Sequence, residues 1–283
     1  MSGGGTNKEP QRQKPTPHDD DCDGNTTTTN SDYGWKYALG SNYRALAIYR
    51  IVLASLLISE LVLRFRFLHP FYSDDGTLPL SILLPKVDAT YHVLCVHCLS
   101  GDLLFQRVLL SVQVALAVAL LVGYKTRTAA FGSWLLYLSL TLRNTWLNFI
   151  LDRYFHYLLF YAVFLPTGEI YAWKPSSEEE EETKKRESTL GECVLTPATV
   201  ALKLQVLWIY LDAGGGKWMD PLGGWTLSAP IPALDSYARH TIGARYLYAA
   251  LTPAGLRLLT PVVVYVEMLS PVLALLFSYY RRR

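Results

Sequence analysis

The chain has 283 residues, 26 basic and 24 acidic side chains, a formal net charge of +2 and 51% hydrophobic residues, with a mean hydropathy of +0.17. Residues 1–40 carry 10 of the 50 charges and residues 171–193 carry 11, which leaves 29 in the other 220 residues, about half the density of a soluble domain. That distribution excludes a soluble globular enzyme, and the near-zero net charge excludes a nucleic-acid binder with a basic face. The sequence reads as an all-α, polytopic transmembrane helical bundle of about six spans, with the lipid bilayer as its first partner.

In chain order, residues 1–40 are rich in Gly, Pro, Thr, Asp and Asn and nearly devoid of aliphatic side chains. Such a stretch has too little apolar surface to offset the entropy of ordering, so it is predicted to be a disordered polar tail. No apolar core follows Met1 within the first 30 residues, so a cleavable secretory signal is not expected and the first apolar helix serves for insertion. Windows approaching the 20 or so apolar residues that cross a bilayer fall at 43–63, 108–124, 128–142, 154–166, 195–211 and 258–280. Pro261 and Pro271 are expected to kink the last of these. Residues 41–280 thus form one transmembrane domain, interrupted by a charged loop at 174–193 that is read as solvated. Residues 236–257 are amphipathic and suited to the interface. With six spans, the tail, Lys125, Arg127, Lys174, the cluster 184–186 and the terminal Arg281, Arg282 and Arg283 share a face. The positive-inside rule places that face in the cytosol. Loops 65–103, 143–153 and 212–257 then lie on the lumenal or extracellular side.

Ionisable groups inside apolar windows are costly unless paired or facing a cavity. Arg50 and Glu60 in the first span lie ten residues, about 15 Å, apart along a helix and cannot pair with each other. Glu267 in the last span has no basic neighbour within a turn, so its partner must come from another helix or the group stays protonated. Lys217 follows Gly214, Gly215 and Gly216. Three glycines are expected to end the fifth span there and let the chain turn sharply. A lysine at such a break can serve as a base if desolvated, or simply snorkel to the interface. Cys95 and Cys98 form a C-x-x-C with His92 and His97 close by. Without a second ligand pair no zinc site is expected, a thioredoxin-like redox motif would want a βαβ context that this chain lacks, and the motif reads as structural filler or a local disulfide. Cys22 and Cys193 are expected to be free thiols.

The polar segments between the spans are distinctive together. LAIYRIVLASLLISE (46–60), FYSDDGTLP (71–79), LVGYKTR (121–127), SWLLYLSLTLRN (133–144), FLPTGEIYAW (164–173), LKLQVLWIYLDAGGGK (202–217) and VEMLSPVL (266–273) occur in this order. In this combination residues 41–280 resemble the horizontally transferred transmembrane (HTTM) domain, the membrane half of the vitamin K-dependent gamma-carboxylases and their relatives.

The resemblance implies an all-helical membrane bundle. In the carboxylases a lysine deprotonates a vitamin K quinol, oxygen adds, and the strong base so formed takes a proton from a glutamate side chain that then captures carbon dioxide. Leu202, Lys203, Gln205, Tyr210, Ala213, Gly214 and Lys217 align without a gap with the segment that carries the lysine, which makes Lys217 the implied base. Asp152 stands where the carboxylases carry a positioning histidine and is the second implied catalytic group. Arg143, Arg153, Tyr210, Glu267 and Arg50 form the implied substrate-binding set, and the implied cofactor is a vitamin K-like quinol. The carboxylases' large lumenal portion has no counterpart in these residues, so a protein partner would have to supply it. Two readings stand: quinol chemistry with a lysine base, or a non-catalytic membrane carrier or assembly subunit that keeps the fold and uses its buried charges to join helices. The topology puts loop 143–153 and Lys217 on one face by an argument independent of the resemblance.

Overall fold

A computed structural model describes residues 30–86, 93–173, 193–240 and 244–280. Its helices are α1 (Asn30–Leu39), α2 (Tyr43–Arg66), α3 (Leu68–Tyr72), α4 (Leu80–Leu83), α5 (Leu103–Val122), α6 (Thr126–Arg143), α7 (Ile150–Phe164), α8 (Pro197–Trp218), α9 (Ala233–His240), α10 (Ala244–Ala250) and α11 (Pro253–Tyr280). Two-residue strands β1 (Ser41–Asn42) and β2 (Cys193–Val194) pair antiparallel, Ser41 opposite Val194 and Asn42 opposite Cys193. This bridge ties the start of α2 to the start of α8.

Local chemistry sets the helix ends. The Asn42 side chain accepts from the Ala45 N–H at 2.7 Å and the Asp102 side chain from the Phe105 N–H at 3.1 Å, each satisfying a donor the first turn leaves free. At α8 the Thr196 hydroxyl accepts from the Thr199 N–H at 3.2 Å, and Pro197 occupies the first turn, where its missing N–H costs nothing. Gly123 ends α5 at φ 89°, its N–H reaching the carbonyls of Ala119 and Leu120 at 3.0 and 3.2 Å. That left-handed conformation suits glycine, and Lys125 at φ 41° completes the turn into α6.

Helices α2, α5, α6 and α7 surround the main core, which includes Leu57, Leu61, Leu110, Leu120, Tyr137, Leu140 and Leu159. Ala47, Ala54, Ala117, Ala130 and Ala162 are fully buried. In an apolar solvent, close backbone approach over small residues supplies packing that hydrophobic burial cannot. The Tyr49 hydroxyl donates to the Leu158 carbonyl at 2.6 Å, while Arg64 at the far end of α2 pairs with Asp152 at the start of α7; the two helices therefore run antiparallel. Helices α8 and α11 form a second antiparallel pair. α1 packs along it, with Trp35 stacked 5.1 Å from the Tyr279 ring.

Three helices, Tyr43–Arg66, Leu103–Val122 and Pro253–Tyr280, are long and apolar enough to cross a membrane. On α11 only Leu256, Thr260 and Val264 are buried, and Leu258, Leu269, Leu273 and Phe277 are exposed. A face of that kind is costly in water and compatible with lipid, which indicates membrane association. The expected third, fourth and fifth spans occur as helices of 18, 15 and 22 residues.

Several expectations are corrected. The expected glycine break is absent: α8 runs through Gly214, Gly215 and Gly216 to Trp218. Among the described glycines positive φ occurs at Gly123 and Gly223, and the last turn of α8 is held instead by its contact with α11. Helix α11 carries Pro261 and Pro271 inside its length. Residues 30–39 of the expected tail are helical, because Ala38 is buried and Gly34 lies against the Tyr279 ring. Residues 1–29, loop residues 174–192, His92 and Arg281–Arg283 lie outside the described residues.

Candidate functional site

The polar groups gather at three places. The first is the end of the four-helix core where α2 finishes and α7 begins. Arg64 Nε donates to Glu60 Oε1 at 2.7 Å and Nη1 to the Tyr72 hydroxyl at 2.8 Å, and Nη2 pairs with Asp152 Oδ1. The same Asp152 oxygen accepts from the Tyr137 hydroxyl at 2.6 Å, while Oδ2 accepts from the Phe149 N–H at 2.6 Å. Asp152 is thus a buried carboxylate with three donors, joining α2, α6 and the start of α7. Arg143, fully buried at the end of α6, donates through Nη1 to the Leu78 carbonyl at 2.8 Å. Its Nη2 lies 3.6 Å from Asp74 Oδ1, and both Nε and Nη2 lack a hydrogen-bond acceptor. Arg153, one residue after Asp152, is exposed.

The second place is the opposite end of the core. Arg50, also fully buried, donates through Nη1 to the Thr167 carbonyl at 3.0 Å and through Nη2 to the Tyr171 carbonyl. Gly123 is required here: a Cβ would lie 2.6 Å from Arg50 Nη1.

The third is the α8–α11 pair. Lys217 Nζ forms an ion pair with Glu267 Oε2, and each side chain keeps about a fifth of its surface exposed, 23% and 22%. The Trp225 ring centroid lies 5.1 Å from Nζ, close enough for a cation–π contribution. Gly214, one turn earlier, lets α11 approach, since a Cβ there would lie 2.5 Å from Met268 Cγ. Tyr210 and Asp212 are exposed.

Glu267 therefore takes its partner from another helix, as its isolation in the sequence requires. The two implied catalytic residues are each bound to different partners. Asp152 binds Arg64, Tyr137 and Phe149, Lys217 binds Glu267, and no ion pair or hydrogen bond among the described residues joins the two groups. The reason is geometric: they belong to different helix pairs. Arg50 gives both Nη groups to backbone carbonyls, whereas Arg143 gives one Nη to the Leu78 carbonyl and keeps Nε and Nη2 without a hydrogen-bond acceptor.

Sequence reasoning missed the Arg64–Asp152 contact. The i, i+4 spacing of Glu60 and Arg64 could have located half of that network; the remaining half spans 88 positions and has no local signal. Lys203 was visible inside a span, and it donates to the carbonyls of Ala38 and Gly40.

Among the described residues, no group of three or more His, Cys, Asp or Glu side chains is placed to hold a metal ion. No protein-family profile, curated protein or solved structure matches the chain. The resemblance rests on its seven segments alone. Six of the seven meet in pairs. Arg50 of segment 46–60 ends on Thr167 and Tyr171 of 164–173, Arg143 of 133–144 on Leu78 of 71–79, and Lys217 of 202–217 on Glu267 of 266–273.

Proposed function

We propose that the chain is a multi-pass membrane protein of the HTTM type, crossing the bilayer six times, that holds an apolar quinone- or lipid-like molecule without acting on it through Lys217. The observation that carries this reading is the pairwise closure of the resembling segments through Arg50, Arg143 and Lys217. Arg50 and Arg143 tie a helix to a loop and Lys217 ties two helices together, and charged groups used in this way hold a bundle in register. Helices α2, α5, α6, α7, α8 and α11 alternate in direction in the order that six crossings need. The 15 residues of α7 rise about 23 Å, less than the roughly 30 Å hydrocarbon core, so this helix crosses only where the bilayer thins or flanking polar residues reach the interface.

A groove of about 330 Å³ between α2, α8 and α11 is lined chiefly by apolar side chains, among them Ala45, Leu46, Val206, Leu207, Pro271 and Ala274. Its polar groups are committed elsewhere, Lys203 to two backbone carbonyls and the Tyr49 hydroxyl to a third. The remaining wall suits an isoprenoid or acyl chain entering from the side. Lys217 is engaged with Glu267 in a close ion pair and does not stand free beside the groove.

A second reading, quinol oxidation, is favoured by the partial exposure of both Lys217 and Glu267. Purification from a membrane containing prenyl quinones, followed by mass spectrometry of bound lipids, tests the first reading. Ala274→Trp should fill the groove and lower the retained quinone or lipid about tenfold in a folded protein. Equal retention refutes the proposed binding. Quinol turnover that is abolished in Lys217→Arg would establish the second reading instead.

A further inference from the structure

Cys95 and Cys98 form a disulfide on the short turn Val96–Cys98, which leans on α6. We propose that this pair is a redox-active centre that exchanges two electrons with a dithiol, Cys98 being the sulfur attacked from outside and Cys95 the buried leaving group. The inference is independent of the quinone groove.

The first observation is the ring itself. A cross-link over a sequence separation of three constrains the unfolded chain far less than one closing a long loop. Stability alone gives this bond little purpose.

The second is the unequal access to the two sulfurs. Cys95 is 2% exposed, with Sγ 3.6 Å from the Ser139 carbonyl oxygen. Cys98 is half-buried against the patch of Leu78, Leu80 and Leu83. Val93 and Leu99 on either side of the motif are strongly exposed. Cys95 is thus closed to solvent while Cys98 keeps part of its surface open, an inequality of access between the two residues of the kind on which thiol exchange depends.

The third is the mounting of the turn. The His97 N–H donates to Ser139 Oγ at 2.8 Å, and His97 Nδ1 lies at the same distance from that oxygen. Gln106 Nε2 donates to the His97 carbonyl at 2.8 Å. None of these contacts involves the S–S bond, so the turn keeps its seat when the bond opens.

The exchange balances as follows. A thiolate of the dithiol attacks Cys98 Sγ, and the S–S bond breaks with its electron pair leaving on Cys95 Sγ. Cys95 takes up a proton, and its thiol then donates to the Ser139 carbonyl. The dithiol's second sulfur, as thiolate, attacks its own partner sulfur in the mixed disulfide and releases Cys98, which is protonated in turn. The dithiol becomes a disulfide, the pair becomes two thiols, and the two protons lost by one are gained by the other.

The test uses the full chain in detergent or nanodiscs. Dithiothreitol under native conditions, followed by maleimide and mass spectrometry, should open the pair while the thermal transition remains, and oxidised lipoate should close it again. Cys98 in Cys95→Ser should react with maleimide at least tenfold faster than Cys95 in Cys98→Ser. Oxidised glutathione added to the reduced wild type should give an adduct on Cys98, a readout that holds even where a variant fails to fold. A pair that opens only after unfolding, that does not close with oxidised lipoate, that labels equally at both positions, or that carries its adduct on Cys95 overturns the proposal.

Discussion

Replacing the three glycines of α8 one at a time distinguishes a helix end from a helix contact. Gly215 and Gly216 have nothing within 4 Å of the position a Cβ would occupy, and both lie inside the helix. Alanine in a helix interior is more favourable than glycine by about 0.5–1 kcal/mol, so the double variant Gly215→Ala/Gly216→Ala should gain about 1–2 kcal/mol. At roughly 2 °C per kcal/mol for a chain of this length, the melting temperature should rise by about 2–4 °C. Gly214 behaves oppositely. Its added Cβ would stand 2.5 Å from Met268 Cγ and 3.2 Å from the Met268 backbone nitrogen, and the backbone atom cannot move aside without displacing α11. Overpacking of that kind costs about 1–3 kcal/mol, of which the propensity gain of about 0.5–1 kcal/mol recovers a part, so Gly214→Ala should lose stability and Gly214→Val should lose more. Thermal unfolding of the solubilised full chain, followed by tryptophan fluorescence and helical circular dichroism, measures all three. A lowered transition in the 215/216 double variant would mean that the glycines break the helix. A gain at Gly214 equal to that at Gly215 would mean that α8 and α11 do not touch there.

Removing either member of the Lys217–Glu267 pair, as Lys217→Met or Glu267→Gln, should destabilise by an amount between the ~1 kcal/mol of an exposed pair and the ~3–5 kcal/mol of a buried one. The double Lys217→Met/Glu267→Gln should cost less than the sum of the two singles, and a double-mutant cycle with no coupling refutes the pairing. His97 predicts a pH dependence. Burial first, and the Arg143 charge second, push its imidazole from 6.5 down to about 3, so the unfolded chain binds the extra proton between these values. This contribution is fully present above pH 6.5 and falls with pH by up to about 1.4 kcal/mol per unit toward pH 3. His97→Asn should flatten that part of the profile in melting curves recorded from pH 7.5 to 5, and an unchanged slope refutes the assignment. For topology, single cysteines at positions 177 and 283 should label from one face of sealed vesicles and those at 101 and 220 from the other, in a background lacking Cys22 and Cys193. Labelling of 177 and 220 from the same side contradicts six crossings.

The helices were legible because each is encoded within its own length. A bilayer-spanning run is a matter of consecutive apolar residues, and caps such as Asn42, Asp102 and Thr196 act within one turn of the residues they satisfy. That Glu267 has no basic residue within a turn was also a local fact, enough to point to a partner on another helix but not to name it. The glycine run was misleading because helix termination depends on more than propensity. A cost of about 1 kcal/mol per glycine is offset where the helix is clamped to a neighbour, and Gly214 is the residue that allows the clamp to close.

By itself, then, the sequence determined the α-helical class, the positions of the main helices and the presence of charges too costly to leave unpaired in an apolar medium. Which charges meet was decided by tertiary structure alone. Arg64 with Asp152, Arg50 with the carbonyls of Thr167 and Tyr171, and Lys217 with Glu267 are 88, about 120 and 50 positions apart. No periodicity or spacing rule reaches across such separations. Pairing energy falls off with distance in space, and distances in space exist only once the helices have packed.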